Sequence, residues 1–216
     1  MAEFAIIGLG RFGRAVARAL ALEGQAVLAV DVDARRLDLV AEDVDAVVVA
    51  DTTDEAKVAS LQLGRMSCVV VTMGSRALEA SLLTTAILIE QDVPRVVARA
   101  FDERHARLLL AIGANEVINP EDEIGRRLAL RLSHPGIVDQ VKLGEASIAE
   151  VEAPEAFVGR SLADLDPRNR HRVTVLAIRR GSEIVANPTA EARVESGDVL
   201  VLLGDPESVR QVGSLR

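Results

Sequence analysis

Residues 5–20 read AIIGLGRFGRAVARAL: an apolar run ends in a glycine-rich turn, and a helical pattern starts at once. Gly8, Gly10 and Gly13 make a G-x-G-x-x-G, which is weak by itself but carries meaning between a strand and a helix. Gly8 permits the tight turn, Gly10 lets the backbone approach a diphosphate, and Gly13 lets the helix pack closely on the strand. Unpaired amides at the helix start then face phosphate oxygens. Gly8, Gly10 and Gly13 are therefore candidate contacts to a nucleotide, Arg11 and Phe12 stand beside them as further candidates, and Arg11 inside the loop raises the question of whether the nucleotide is held for reaction or for signalling.

Outward from that loop, short β-branched runs alternate with helical stretches as far as Leu132. FAIIG, AVLAVD, AVVVAD, CVVVTM, RVVARA and EVIN read as strands. RFGRAVARALALEG, DARRLDLVAE, DEAKVASLQLG, SRALEASLLTTAILIEQ, DERHARLLLAIG and PEDEIGRRLALRL read as the helices between them. Continuous Val/Ile runs are buried on both faces, and the helices are long enough to be crossovers. Gly24, Gly64 and Gly113 stand where helices should stop, and Pro120 precedes acids placed at the positive end of the last helix.

After SHPGIV the pattern changes to short alternating runs: ASIAEVEA, RVTVLAIRR, EIVANP and DVLVLLG, with turn signals at Arg180-Gly181 and Ser196-Gly197-Asp198. The expected fold is α/β: a Rossmann-like doubly wound parallel sheet over residues 1–134, then a linker and a small C-terminal α+β domain over 135–216.

Composition bounds the function. No apolar stretch approaches the roughly 20 residues of a membrane helix, and Met1 leads into EFAIIG without a charged leader, so a cytoplasmic protein is expected. The formal net charge of −8 argues against a nucleic-acid substrate. The single cysteine, Cys68, lies in an apolar run and reads as a small buried hydrophobe.

Asp31 closes the second strand at the spacing of a ribose-binding acid; it can accept from both hydroxyls and disfavours a 2′-phosphate. Asp51 and Thr52, at the end of the third strand, lie within reach of an adenine, while Thr53 or Asp54 caps the following helix. A dehydrogenase also needs a proton-transfer group beside the nicotinamide. The three histidines, His105, His134 and His171, all read as surface residues away from the glycine loop, and the chain has no Tyr. An NAD-dependent oxidoreductase and a nucleotide-sensing DNA regulator remain as alternatives to a non-enzymatic ligand sensor.

GLGRFG with its arginine, ADTTDE, VVARA, GANEVINPEDEIGRRLA and the closing VESGDVLVLLG together resemble the RCK (KTN) regulatory subunits of Ktr and Trk potassium uptake systems, over essentially the whole chain. The resemblance implies an RCK-N nucleotide-binding domain and an RCK-C domain. It also implies a homodimer assembling into an octameric ring, docked under a membrane potassium-transporter subunit at the inner face of the plasma membrane. The implied ligands are ATP/ADP or NAD(H), with Arg11 reaching a terminal phosphate in the neighbouring subunit and Arg99 near the phosphates. Glu121 matches a glutamate that helps hold Mg²⁺ or Ca²⁺ beside ATP, or is simply an acid at a helix start. Cyclic di-AMP binding in some relatives would involve Arg180, Asn187 and Pro188, where a plain β-turn is an equal reading.

Overall fold

The computed structural model describes residues 3–215, in two compact units, Met1–Glu121 and Asp122–Arg216. The first unit runs β1 (Glu3–Ile7), α1 (Arg11–Leu22), β2 (Ala26–Asp31), α2 (Ala34–Leu37), β3 (Ala46–Val49), α3 (Glu55–Ser60), β4 (Cys68–Val71), α4 (Leu78–Glu90), β5 (Val96–Arg99), α5 (Glu103–Ile112) and β6 (Glu116–Ile118). Its six strands are parallel, in the order β3-β2-β1-β4-β5-β6. That is the doubly wound order, with its switch point between β1 and β4.

Two apolar clusters cover the two faces of the sheet. Ala5, Ile7, Val69 and Val71 face one with Leu88 and Leu109; Ile6, Val27, Ala29 and Val70 face the other with Leu9, Ala17 and Leu37. All four residues of β4 are buried, which is why that strand reads as an unbroken apolar run. Cys68 is buried and free, and desolvation raises its thiol pKa.

In this unit aspartates cap three helices: Asp33 accepts from the Arg35 amide, Asp54 from Ala56 and Lys57, and Asp102 from His105. Gly24 and Gly113 take left-handed conformations where α1 and α5 stop (φ +74° and +115°). Gly64 does not end α3: Gln62 takes the left-handed position (φ +53°), and Gly64 lies in a short 3₁₀ turn, Leu63–Arg65. The helix expected over 33–42 is confined to Ala34–Leu37, beyond which successive turns close with i→i+3 bonds from Val40 and Asp43.

The second unit holds most of α6 (Pro120–Ser133), then β7 (Ile137–Leu143), β8 (Ala146–Glu152), α7 (Leu162–Leu165), α8 (Pro167–His171), β9 (Val173–Arg180), β10 (Glu183–Ala186), β11 (Val199–Gly204) and α9 (Pro206–Gly213). The chain thus divides within the first turn of α6, whereas the expected boundary follows that helix; Leu130 packs on the second unit's core. The five strands form an antiparallel sheet in the order β10-β9-β11-β8-β7 around Ile137, Val151, Phe157, Ile178, Leu200 and Leu202.

Two hairpins turn on Gly144 (φ +61°) and Gly181 (φ +58°), and Gly197 is also left-handed. Both β7 and α9 lie outside the expected elements. Among the described residues, no helix is long and apolar enough to cross a membrane.

Candidate nucleotide-binding site

β1 and β4 are neighbours whose following loops turn to opposite faces, and a cavity of about 580 Å³ opens at the carboxyl ends of the strands. It is lined by Gly8, Gly10, Arg11 and Arg14 from β1 and α1, by Asp31 and Arg36 from the second strand and its helix, and by Ala50–Thr53 after β3. Residues 72–77 after β4, and Arg99 from β5, complete it.

The glycines divide their work as the spacing predicts. Gly8 has φ +92°, and the Gly8 amide donates to the Val30 carbonyl at 2.8 Å. A Cβ at Gly13 would overlap the Gly8 carbonyl oxygen and come within 2.5 Å of Thr72 Oγ1, so α1 touches the β1 turn and β4 only because Gly13 lacks one. A Cβ at Gly10 would meet nothing within 4 Å, and Gly10 precedes α1 without a side-chain cap, leaving the first amides of that helix free for a ligand.

Asp31 is 4% exposed. Its Oδ2 accepts from the Leu9 amide at 2.6 Å and its Oδ1 from the Asp33 amide at 2.9 Å, while Arg36 Nη1 stands 3.4 Å from Oδ2. The carboxylate thereby ties the end of β2 to the glycine loop, an anchoring role beyond the ribose contact that its spacing suggests. Asp51 is exposed; the Thr53 hydroxyl and amide both donate to its Oδ1, which lowers its pKa. The Thr52 hydroxyl is buried and shared with Thr84 at 2.8 Å, and the Thr84 hydroxyl also stands 3.1 Å from the Thr52 carbonyl, so of the polar groups of Thr52 the backbone amide is the one left for a ligand. Capping of α3 falls to Asp54, which leaves Asp51 Oδ2 open.

Five arginines line the cavity. Arg14 Nη1 donates to the Leu9 carbonyl at 2.9 Å, Arg36 pairs with Asp31, and Arg99 pairs with Glu121. Arg99 also lies over the Phe12 ring, 5.6 Å from its centroid, which places Phe12 behind the loop as a support. Among the described residues, the side chains of Arg11 and Arg76 have neither a hydrogen-bond nor an ion-pair partner.

Phe12, Gly13 and Glu121 do not line the cavity. Glu121 is exposed, engaged with Arg99, and among the described residues no group of three or more His, Cys, Asp or Glu could hold a metal ion.

The histidines depart from their expected surface positions. His105 is 2% exposed, packed against Phe101 with ring centroids 4.5 Å apart, and desolvation lowers its pKa despite the nearby Asp102. His134 and His171 are half-buried. Their helical and loop contexts suggest exposure because neither shows the face on which the chain packs.

In the second unit, Arg180 is not free for a ligand phosphate. It pairs with both oxygens of the buried Asp198 (2.8 and 2.9 Å) and with Glu195 and the Arg193 carbonyl. Asn187 is exposed in a left-handed turn, φ +49°, and Pro188 is half-buried beside it.

Arg14, Arg36 and Arg76 are cavity-lining arginines that motif reasoning passes over. The first two lie one residue past Gly13 and five past Asp31, spacings that signal a helix face turned toward the loop. Arg76 sits in a turn with no signature.

Residues 4–120 match the TrkA-N domain, and residues 147–215 match the TrkA-C domain. The chain is 34% identical over 203 residues to the Ktr system potassium uptake protein C of Bacillus subtilis, covering 94% of this chain and 91% of that one. It is 35% identical over 208 residues to the Ktr system potassium uptake protein A of Vibrio alginolyticus, covering 96% and 94%. In three dimensions it is similar to the GsuK channel at a TM-score of 0.73 and 19% identity, covering 99% of this chain and 39% of that one, a likeness of fold. With two matching domains in this order and Ktr-system relatives aligned over nearly the whole chain, the chain belongs to the TrkA-N/TrkA-C (RCK) family of regulatory subunits of Ktr/Trk-type potassium uptake systems.

Proposed function

We propose that this chain is a cytoplasmic nucleotide sensor that gates a membrane potassium-transporter subunit, working as a homodimer within an octameric ring. Arg11 is the observation that carries the reading. It is an exposed residue of the phosphate loop that lines the cavity, its side chain without a partner among the described residues, while Arg14, Arg36 and Arg99 are at least partly engaged. A free guanidinium beside a phosphate cradle is suited to a phosphate presented by a neighbouring subunit.

The ligand in this reading is ATP or ADP, with NAD(H) as the other family ligand. The α1 amides and Gly10 hold the phosphates, Asp31 receives the ribose, and Asp51 with the Thr52 backbone borders the adenine. A ligand shifts a conformational equilibrium only through contacts that differ between the two states. ATP and ADP differ at the terminal phosphate, so Arg11 across the dimer interface is where that difference is felt.

A divalent cation is not supplied with a donor set by one chain. It would require Glu121 to leave Arg99 and to be joined by a second subunit's carboxylate and phosphate oxygens, and no step of the mechanism depends on it. Binding of cyclic di-AMP in the second unit would rest on Asn187 and Pro188 without Arg180.

Thermal stabilisation by ATP, ADP, NAD, NADH and NADPH, with and without Mg²⁺, tests the reading, because a ligand that binds the folded state raises Tm by mass action. Stabilisation by ATP and ADP to different extents is expected, and Arg11→Ala should reduce that difference while retaining adenosine binding. Equal loss of both nucleotides in Arg11→Ala would remove Arg11 from its role. Turnover of NADH with a small carbonyl compound would replace the regulatory reading with an oxidoreductase.

A further inference from the structure

Arg76 shares with Arg11 the property of lining the cavity with a side chain that has no hydrogen-bond or ion-pair partner among the described residues. The two arrive from opposite sides. Arg11 follows β1 and opens α1; Arg76 lies in the short 3₁₀ turn Ser75–Ala77 that follows β4 and leads into α4. Since β1 and β4 are adjacent at the switch point of the sheet, a ligand lying across the crevice passes between the two loops that carry these arginines.

The turn that holds Arg76 is closed by the Ala77 amide donating to the Gly74 carbonyl at 2.9 Å, so the side chain is presented from a defined backbone, exposed to solvent. Arg14, Arg36 and Arg99, by contrast, each have at least one guanidinium nitrogen engaged by a carbonyl or a carboxylate within the protein, although the buried Arg99 Nε has no partner among the described residues. The cavity thus keeps one uncommitted fork on each side of its mouth.

The chemistry of that arrangement separates two kinds of ligand. A nucleoside di- or triphosphate ends in an open phosphate with several oxygens for a second guanidinium. A dinucleotide has both phosphates enclosed between two ribosides, and its second riboside lies where the open phosphate of ADP or ATP would be.

We infer that Arg76 is a specificity-determining residue of this site, holding the terminal phosphate of ADP or ATP within its own subunit and so favouring nucleoside di- and triphosphates over NAD(H). This rests on the nucleotide-sensing function proposed above, and it assigns the in-subunit phosphate contact to β4's loop while leaving Arg11 for the neighbour.

The test is calorimetric titration of the full chain, as wild type, Arg76→Ala and Arg76→Lys, with ADP, ATP, adenosine and NAD. Arg76→Ala should weaken ADP and ATP about tenfold each, the effect of one charge-assisted contact at an exposed site. It should leave adenosine and NAD within about twofold, and Arg76→Lys should restore part of the loss. An unchanged Tm without ligand confirms that the fold is intact.

ADP and ATP affinities within twofold of wild type in Arg76→Ala would overturn the inference while leaving the nucleotide-sensing reading in place. An equal loss for NAD would overturn it too, by reducing Arg76 to a general electrostatic attraction. If the wild-type chain binds none of these nucleotides, the functional reading fails and the inference fails with it.

Discussion

Gly13→Ala tests whether the loop geometry is set by close packing. The added Cβ would overlap the Gly8 carbonyl oxygen and come within 2.5 Å of Thr72 Oγ1, although ordinary contacts of this kind begin well beyond 3 Å. Neither obstacle is the end of a flexible chain. Gly8 is held by its bond to Val30, while the Thr72 hydroxyl donates to the Gly8 carbonyl and the Thr72 amide donates to the Ile7 carbonyl at 2.8 Å.

Relief therefore requires moving the start of α1 off the strands. Overpacking of this kind costs about 1–3 kcal/mol. Loss of the buried Thr72 hydroxyl bond adds about 1–3 kcal/mol. The better helix propensity of Ala returns about 1 kcal/mol. A net destabilisation of about 1–5 kcal/mol is expected, read as a lower urea midpoint at unchanged slope.

Gly10→Ala is the control, since a Cβ there meets nothing within 4 Å: stability should stay within about 0.5 kcal/mol, while stabilisation by added nucleotide falls. A Gly13→Ala midpoint equal to wild type would refute the argument that Gly13 is a packing glycine.

Two further outcomes follow from buried polar groups. Asp198 is fully buried and its pKa is lowered from 3.8, first by the Arg180 guanidinium; the stability it contributes is present above that value and is lost as pH falls through the lower folded pKa. Asp198→Asn should cost about 2–3 kcal/mol at neutral pH, discounted for the half-exposed Arg180, and the gap to wild type should narrow in acid denaturation. His105 has both ring nitrogens buried and unpartnered, and desolvation lowers its pKa from 6.5, so the folded state resists protonation and stability declines as pH drops below that value. His105→Leu should flatten the urea midpoint between pH 7.5 and 5.5; an unchanged pH slope would show that another group carries it.

Much of the first unit is legible in sequence because its signals are local. A parallel strand buried on both faces must be continuously apolar, as Cys68–Val71 is, and a helix that packs close on a strand must offer a glycine where Gly13 stands. Other signals were equally local but are easily passed over. Asp205 followed by Pro206 is a helix start, and Leu143-Gly144-Glu145 is a hairpin turn; these mark α9 and the end of β7. The short α2, and the transfer of the left-handed role from Gly64 to Gln62, follow instead from how residues 38–43 and 61–66 pack and close their turns.

The amino-acid sequence by itself determined the doubly wound order of elements, the phosphate loop, the acid at the end of β2 and the family, because strand burial, turn chemistry and motif spacing act over a few residues at a time. Tertiary structure decided which polar groups remain free. Only when β3, β2, β1, β4 and β5 lie side by side is Asp31 drawn to the Leu9 amide, Arg99 to Glu121 and Thr52 to Thr84, while Arg11 and Arg76 are left open to the cavity. A partner 22 or more positions away along the chain cannot be read from local pattern, because it is distance in the fold, not in sequence, that sets whether a charge is already satisfied.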